Sequence, residues 1–111
     1  MSQKIENANI EDKKEMEEIL RAFAKIELVS LDSPAQEAGL KKDDLILKFG
    51  SVDYSNNRQL RALGEIVQNS YADGSSITIR VSRNEKNLSL KLSPQQWSGK
   101  GLVGCVFSPV L

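Results

Sequence analysis

The sequence predicts a small α+β domain: a partly open β-barrel or sandwich with one short and one long helix, and a further helix at the N-terminus. Three observations carry this reading. Residues 77–92 hold two runs of apolar–polar alternation separated by a polar turn, which is a hairpin pattern. Ser33-Pro34-Ala35-Gln36-Glu37-Ala38-Gly39 reads as one compact helix. Leu60, Leu63, Ile66 and Val67 recur at helical spacing and give a longer helix over 57–69. With 111 residues, 40% of them apolar and 27% charged, the chain has the size and composition of one globular domain with a modest core.

In chain order, residues 1–8 form a polar tail. Asn9 can cap a helix over about 10–22, in which Ile10, Met16, Ile19 and Leu20 oppose Glu11, Lys14, Glu15 and Glu18. From Phe23 the period changes to two: Ala24, Ile26 and Leu28 alternate with Lys25 and Glu27, which gives a strand with one buried face. In the short helix Ser33 suits the N-cap, Pro34 the first helical position and Gln36 the return arm of a capping box. Gly39 suits its left-handed stop. Leu45–Phe49 is a short buried strand closed by Gly50. Asn56 with Gln59 signals the start of the long helix, and Tyr71-Ala72-Asp73-Gly74 reads as the turn after it. Ile77, Ile79 and Val81, then Leu88, Leu90 and Leu92, line one face of the hairpin, with residues 83–87 as its turn. Pro94 ends the pairing. A glycine-containing loop over 97–104 leads into an apolar strand at the end of the chain.

Several chemistries are excluded. The sequence has no histidine, so no Ser-His-Asp or Cys-His pairing exists within it. Cys105 is the single cysteine, which leaves no nitrogen and sulfur set for zinc and fits a reducing compartment. No phosphate-binding glycine motif occurs. Fifteen basic residues balance fifteen acidic ones, so no broad attraction to nucleic acid or an anionic membrane is expected. The first twenty residues lack the apolar core of a signal peptide. Asp43-Asp44 is expected to be a solvated turn. Neither a cofactor nor enzymatic activity is expected.

The stretch SPAQEAGLKKDDLILKFG resembles the signature of the PDZ family, in which a Ser-Pro-Ala-x-x-Ala-Gly-Leu helix leads into a Gly-Asp-x-Ile strand. Asp43 and Asp32 stand where many members have glycine, and aspartate tolerates left-handed backbone better than most residues. In that family a carboxylate-binding loop of the Gly-Leu-Gly-Phe type precedes the peptide-binding strand. Gly101-Leu102-Val103-Gly104 is its counterpart, and Cys105-Val106-Phe107 the strand. Here the loop closes the chain, so the order is circularly permuted. The permutation, with Phe23-Ala24-Lys25, Phe49-Gly50-Ser51-Val52 and the run from Trp97 to Cys105, resembles a branch of the family that acts in proteasome assembly. The resemblance covers residues 23–111 and makes them a PDZ domain, with 1–22 a linker or the remnant of a helical half.

The resemblance implies a non-catalytic module of the cytoplasm and nucleus. Its partner would be the C-terminal tail of an ATPase subunit of the proteasome regulatory particle, and masking that tail would make it an assembly chaperone of the particle's base. The alternative is a substrate-sensing PDZ module of a protease whose catalytic domain lies outside this chain. In either case a tail adds as a strand to Cys105-Val106-Phe107, with N–H groups around Leu102, Val103 and Gly104 receiving its carboxylate. Lys100 either adds positive charge there or is a solvated loop lysine. Leu60, Gly64 and Val67 share one helix stripe assigned to the groove, with Leu63 and Ile66 in the core. Gly64 gives room for a ligand side chain or for close packing against a strand. Leu60 stands where many members have histidine, which favours an apolar ligand residue two before the end. Trp97 packs at the base of the loop or lines the groove. The chain is expected to be monomeric, with weak self-association through Ser108-Pro109-Val110-Leu111 as the competing outcome to a frayed terminus.

Overall fold

The computed structural model describes residues 20–110. In chain order these form β1 (Ala24–Val29), α1 (Pro34–Ala38), β2 (Leu45–Phe49), α2 (Arg61–Asp73), β3 (Ile77–Arg83), β4 (Lys86–Leu92) and β5 (Cys105–Pro109). The strands make one antiparallel sheet in the order β4-β3-β2-β1-β5. The architecture is α+β with one short and one long helix, as expected. The sheet is open, however, with β4 and β5 as its edges rather than a barrel. The helix expected over 10–22 lies outside the described residues except for 20–22, which are not helical.

The core lies where both helices meet the sheet. Ile26, Ile46, Phe49, Ile79, Val81 and Leu92 are fully buried, and Ala35, Leu40, Leu63 and Val67 pack over them. Each large side chain buried this way contributes about 1.5–3 kcal/mol.

Local chemistry fixes α1 as the sequence suggests. Ser33 Oγ accepts from Gln36 N at 3.1 Å, Pro34 opens the helix, and Gly39 closes it at φ 94°. Gln36 Oε1 reaches back to Asp32 N at 2.7 Å, one residue before the cap. Asp32 and Asp43 both adopt positive φ, at 61° and 75°.

Elsewhere the structure corrects the reading. Leu28 is 54% exposed although Ile26 is fully buried. The β1–β5 register slips between Ile26 and Leu28, and a one-residue slip turns the following side chains to the other face. The hairpin turn is only Asn84-Glu85, both at positive φ, as a tight type I′ turn requires, so Arg83, Lys86 and Asn87 belong to the strands. α2 begins at Arg61 instead of 57 and continues through the expected turn to Asp73. Gly74, at φ 71°, is the first residue suited to the left-handed stop.

Asp44 is not solvated. It is 1% exposed and receives Arg83 Nε and Nη2, both at 2.7 Å, together with Lys41 N at 2.9 Å. Arg83 Nη2 also donates to the Gly39 carbonyl at 2.7 Å, tying the end of α1 to the hairpin. The bond to Asp44 raises the Arg83 pKa further above its ordinary value.

The terminus is anchored as far as it is described. Pro109 lies opposite Ala24, and Val110 N donates to Phe23 O at 3.2 Å. The expected fraying therefore does not extend to Val110.

Candidate functional site

The loop before β5 is fastened through its carbonyls. Leu102 O accepts from Gln95 N at 3.1 Å, Val103 O from Ala35 N at 2.8 Å and Gly104 O from Ser30 N at 2.9 Å. Among the described residues, the N–H groups of Leu102, Val103 and Gly104 have no acceptor. A segment whose acceptors are all used and whose donors are all free is a ready anion receptor.

Glycine makes this geometry possible at two positions. Gly101 and Gly104 hold φ 74° and 83°. A Cβ at Gly104 would stand 2.2 Å from Ser33 Cβ, so only glycine lets the loop settle on the N-terminus of α1. Trp97 packs at the loop's base, against Gly99 and Gly104, and its Nε1 is buried with no hydrogen-bond partner.

β5 pairs with β1 on one side and, among the described residues, has no strand on the other. Phe107 meets Phe49 edge to face, with centroids 5.6 Å apart and planes at 88°, which fixes its ring against the core. The Cys105 thiol is pushed up to about 12 by desolvation, so it stays protonated and is no nucleophile at neutral pH.

α2 supplies the opposite wall. A cleft of about 370 Å³ lies between it and β5, lined by Leu60, Leu63, Gly64, Val67 and Gln68 with Gly101, Leu102 and Phe107. The structure thus brings Leu60, Gly64 and Val67 together with the loop and with Phe107. It adds Leu63, which was assigned to the core alone, and Gln68. Both were findable, since 60, 63, 64, 67 and 68 are the full i, i+3, i+4, i+7, i+8 stripe of one helix face.

Lys100, Val103, Gly104, Cys105 and Val106 line a second cleft of about 460 Å³, together with Ser30 and Trp97. Gly101 and Leu102 are common to both clefts and form the rim between them.

Leu60 enters the groove through an unusual turn. Arg58, Gln59 and Leu60 all adopt positive φ, at 53°, 59° and 71°. Asn57, not the expected Asn56, organises them. Its Oδ1 accepts from Leu60 N at 3.1 Å, and its Nδ2 donates to the carbonyls of Asp53 and Tyr54 at 3.0 and 3.2 Å.

Among the described residues no group of His, Cys, Asp or Glu could hold a metal ion, and no helix is long and apolar enough to cross a membrane.

No protein-family model matches the chain. Relatives are nevertheless clear. The chain is 43% identical over 90 residues to the human 26S proteasome non-ATPase regulatory subunit 9, covering 81% of this chain and 40% of that protein. It is 44% identical over 86 residues to the protein of the same name from Drosophila melanogaster, covering 77% of this chain and 38% of that one. A protein of Nostoc that carries the name of a zinc metalloprotease is 33% identical over 76 residues, covering 68% of this chain and 20% of its own length. The chain spans about two fifths of the length of the first two. Over most of its length the chain is a relative of the proteins named 26S proteasome non-ATPase regulatory subunit 9.

Proposed function

We propose that this chain is a circularly permuted PDZ-type module that captures a protein C-terminus. One observation carries the reading: an apolar groove between α2 and the unpaired side of β5 ends at a loop with free N–H groups and fully used carbonyls. A tail entering that groove completes the sheet as a sixth strand and places its carboxylate at the loop, where no side-chain charge is needed. Lys100 lines the neighbouring cleft, so it acts at most from the rim.

The relatives suggest the partner. Proteins named as non-ATPase subunits of the 26S proteasome point to a non-catalytic role beside ATPase subunits, and we assign the tail to one of them. Capturing it would keep that subunit from docking early and would make the module an assembly chaperone of the regulatory particle base, in cytoplasm and nucleus. The Nostoc relative supports a second reading, a substrate-sensing module whose protease domain lies elsewhere.

Titration of one apolar-ended peptide as free acid and as C-terminal amide tests the groove. The free acid is expected to bind at about micromolar Kd, near −8 kcal/mol, and the amide far more weakly. Equal affinities would overturn the carboxylate assignment. Pull-down from lysate with and without residues 1–22 tests the partner. Recovery of proteasome ATPase subunits by both forms supports the chaperone reading, and recovery of neither form's ATPase partner refutes it.

A further inference from the structure

Six of the seven glycines have a local reason. Gly39, Gly50, Gly74, Gly101 and Gly104 hold positive φ, and a Cβ on Gly99 would stand 2.2 Å from the Trp97 ring. Gly64 has neither reason. It lies within α2, where glycine weakens the helix, and a Cβ added to it would meet no atom within 4 Å. Nothing inside the protein requires that space.

The space connects two surfaces. The groove shares Gly64 and Gln68 with a shallow cleft of about 590 Å³ on the outer side of α2, whose other walls are Arg61, Glu65 and Asn69. Gly64 is therefore a low pass across the helix. The charged groups beside the pass are engaged: Arg61 donates to the Arg58 carbonyl and the Gln59 amide, and Glu65 pairs with Arg58. Gln68 is exposed, and among the described residues its amide has no partner.

Resting on the reading that a tail lies in this groove, we propose that Gly64 admits one large side chain of that tail, with a neutral hydrogen-bonding tip. Its body crosses the helix over Gly64 and its tip reaches the amide of Gln68. Four helical residues separate the two, a rise of about 6 Å, a span that tyrosine covers and leucine does not. A phenol suits an amide that both donates and accepts. Inward-facing residues of a strand recur about every 6.8 Å, and the stripe from Leu60 to Gln68 is about 12 Å long. The last and third-from-last residues are thus the two that face α2.

The test uses the full chain and free-acid hexapeptides carrying tyrosine, phenylalanine or alanine at each of those two positions. At one of them tyrosine is expected to bind about tenfold tighter than alanine, as burial of a ring predicts. Gly64→Leu should weaken the tyrosine peptide at least fivefold more than the alanine peptide, with Gly64→Ala intermediate. Gln68→Ala should remove the preference for tyrosine over phenylalanine. Thermal melts of each variant check that α2 is intact. Free acids that bind without preferring tyrosine, or a Gly64→Leu effect equal for all peptides, would overturn the inference and leave the groove reading standing. Equal binding of acid and amide would remove both.

Discussion

Two segments border the groove from opposite sides, and both depend on left-handed backbone. The loop uses Gly101 and Gly104, for which positive φ is unstrained. The entry to α2 uses Arg58, Gln59 and Leu60, each of which is disfavoured there by about 1–2 kcal/mol. The loop is held by three carbonyl hydrogen bonds, to Ser30 and Ala35 around the start of α1 and to Gln95 after β4. The entry turn is held by the side chain of Asn57, by Arg61 on the Arg58 carbonyl and by the Arg58–Glu65 pair. One wall is thus held without backbone strain, and the other is strained and held largely by side chains, with Asn57 as the pin to the segment before it. A receptor for a common group, the carboxylate, suits the first. A wall that sets the groove's width suits the second.

Breaking the support of the unstrained wall should have the largest effect. Arg83→Ala leaves the Asp44 carboxylate buried and unpaired and also releases the Gly39 carbonyl. Loss of one partner of a buried pair costs about 3–5 kcal/mol. Arg83 is a quarter exposed at its side chain, so the lower end of that range is expected in denaturant unfolding. A loss below about 1 kcal/mol would mean that the pair adds nothing to the scaffold under the loop.

Gly104→Ala attacks the loop itself. The new methyl group needs a left-handed alanine and would overlap Ser33 at 2.2 Å. The two penalties together predict a loss of about 3 kcal/mol. If stability changes by less than 1 kcal/mol, the loop does not sit on α1 as described.

How far the sequence could be read follows the same division. α1 was legible because Ser33, Pro34, Gln36 and Gly39 each act on the nearest few residues. Gly104 announced a close approach without saying to what. The entry turn was not legible, because arginine, glutamine and leucine carry no preference for positive φ. A side chain three residues away and the packing of Leu60 impose it. Asp44 was misread for a related reason: its partner lies 39 positions further on, beyond any local pattern. The exposure of Leu28 depends on a bulge set by β5, from the far end of the chain. Of the groove, the stripe on α2 could be read, while the pairing of that stripe with Phe107 and the loop is tertiary.

Two substitutions in the entry turn should act in opposite directions. Asn57→Ala removes the pin and leaves three strained residues without their organiser, a loss of about 1.5 kcal/mol. Gln59→Gly relieves one left-handed residue and adds chain entropy to the unfolded state, for a net gain of about 0.5 kcal/mol. Paired thermal melts would check both. If both variants destabilise, the turn is not strained, and the contrast between the two walls fails.

The smallest effect concerns pH. Asp53 lies just before the entry turn, and its Oδ1 accepts from the Ser55 hydroxyl at 2.7 Å and from Ser55 N at 2.9 Å. These bonds, the hydroxyl first, hold its pKa below the usual carboxylate value, with a smaller contribution from the charge of Lys48. A folded-state pKa below the unfolded one stabilises the fold only while the carboxylate is ionised. The contribution is therefore complete above the ordinary aspartate pKa and is lost as pH falls through the lower, folded value. The group is largely solvated, so solvent screening limits the effect to a few tenths of a kcal/mol, roughly 0.3. Ser55→Ala should lower stability by about that amount at neutral pH, and the difference should vanish as the carboxylate protonates. The loop across the groove holds its conformation through carbonyls and glycines, which do not titrate in this range. Acid should consequently loosen the entry turn before it affects the loop, and amide exchange followed from pH 6 down to pH 3 would report the order. Simultaneous loss of protection in both segments would show that they open as one unit.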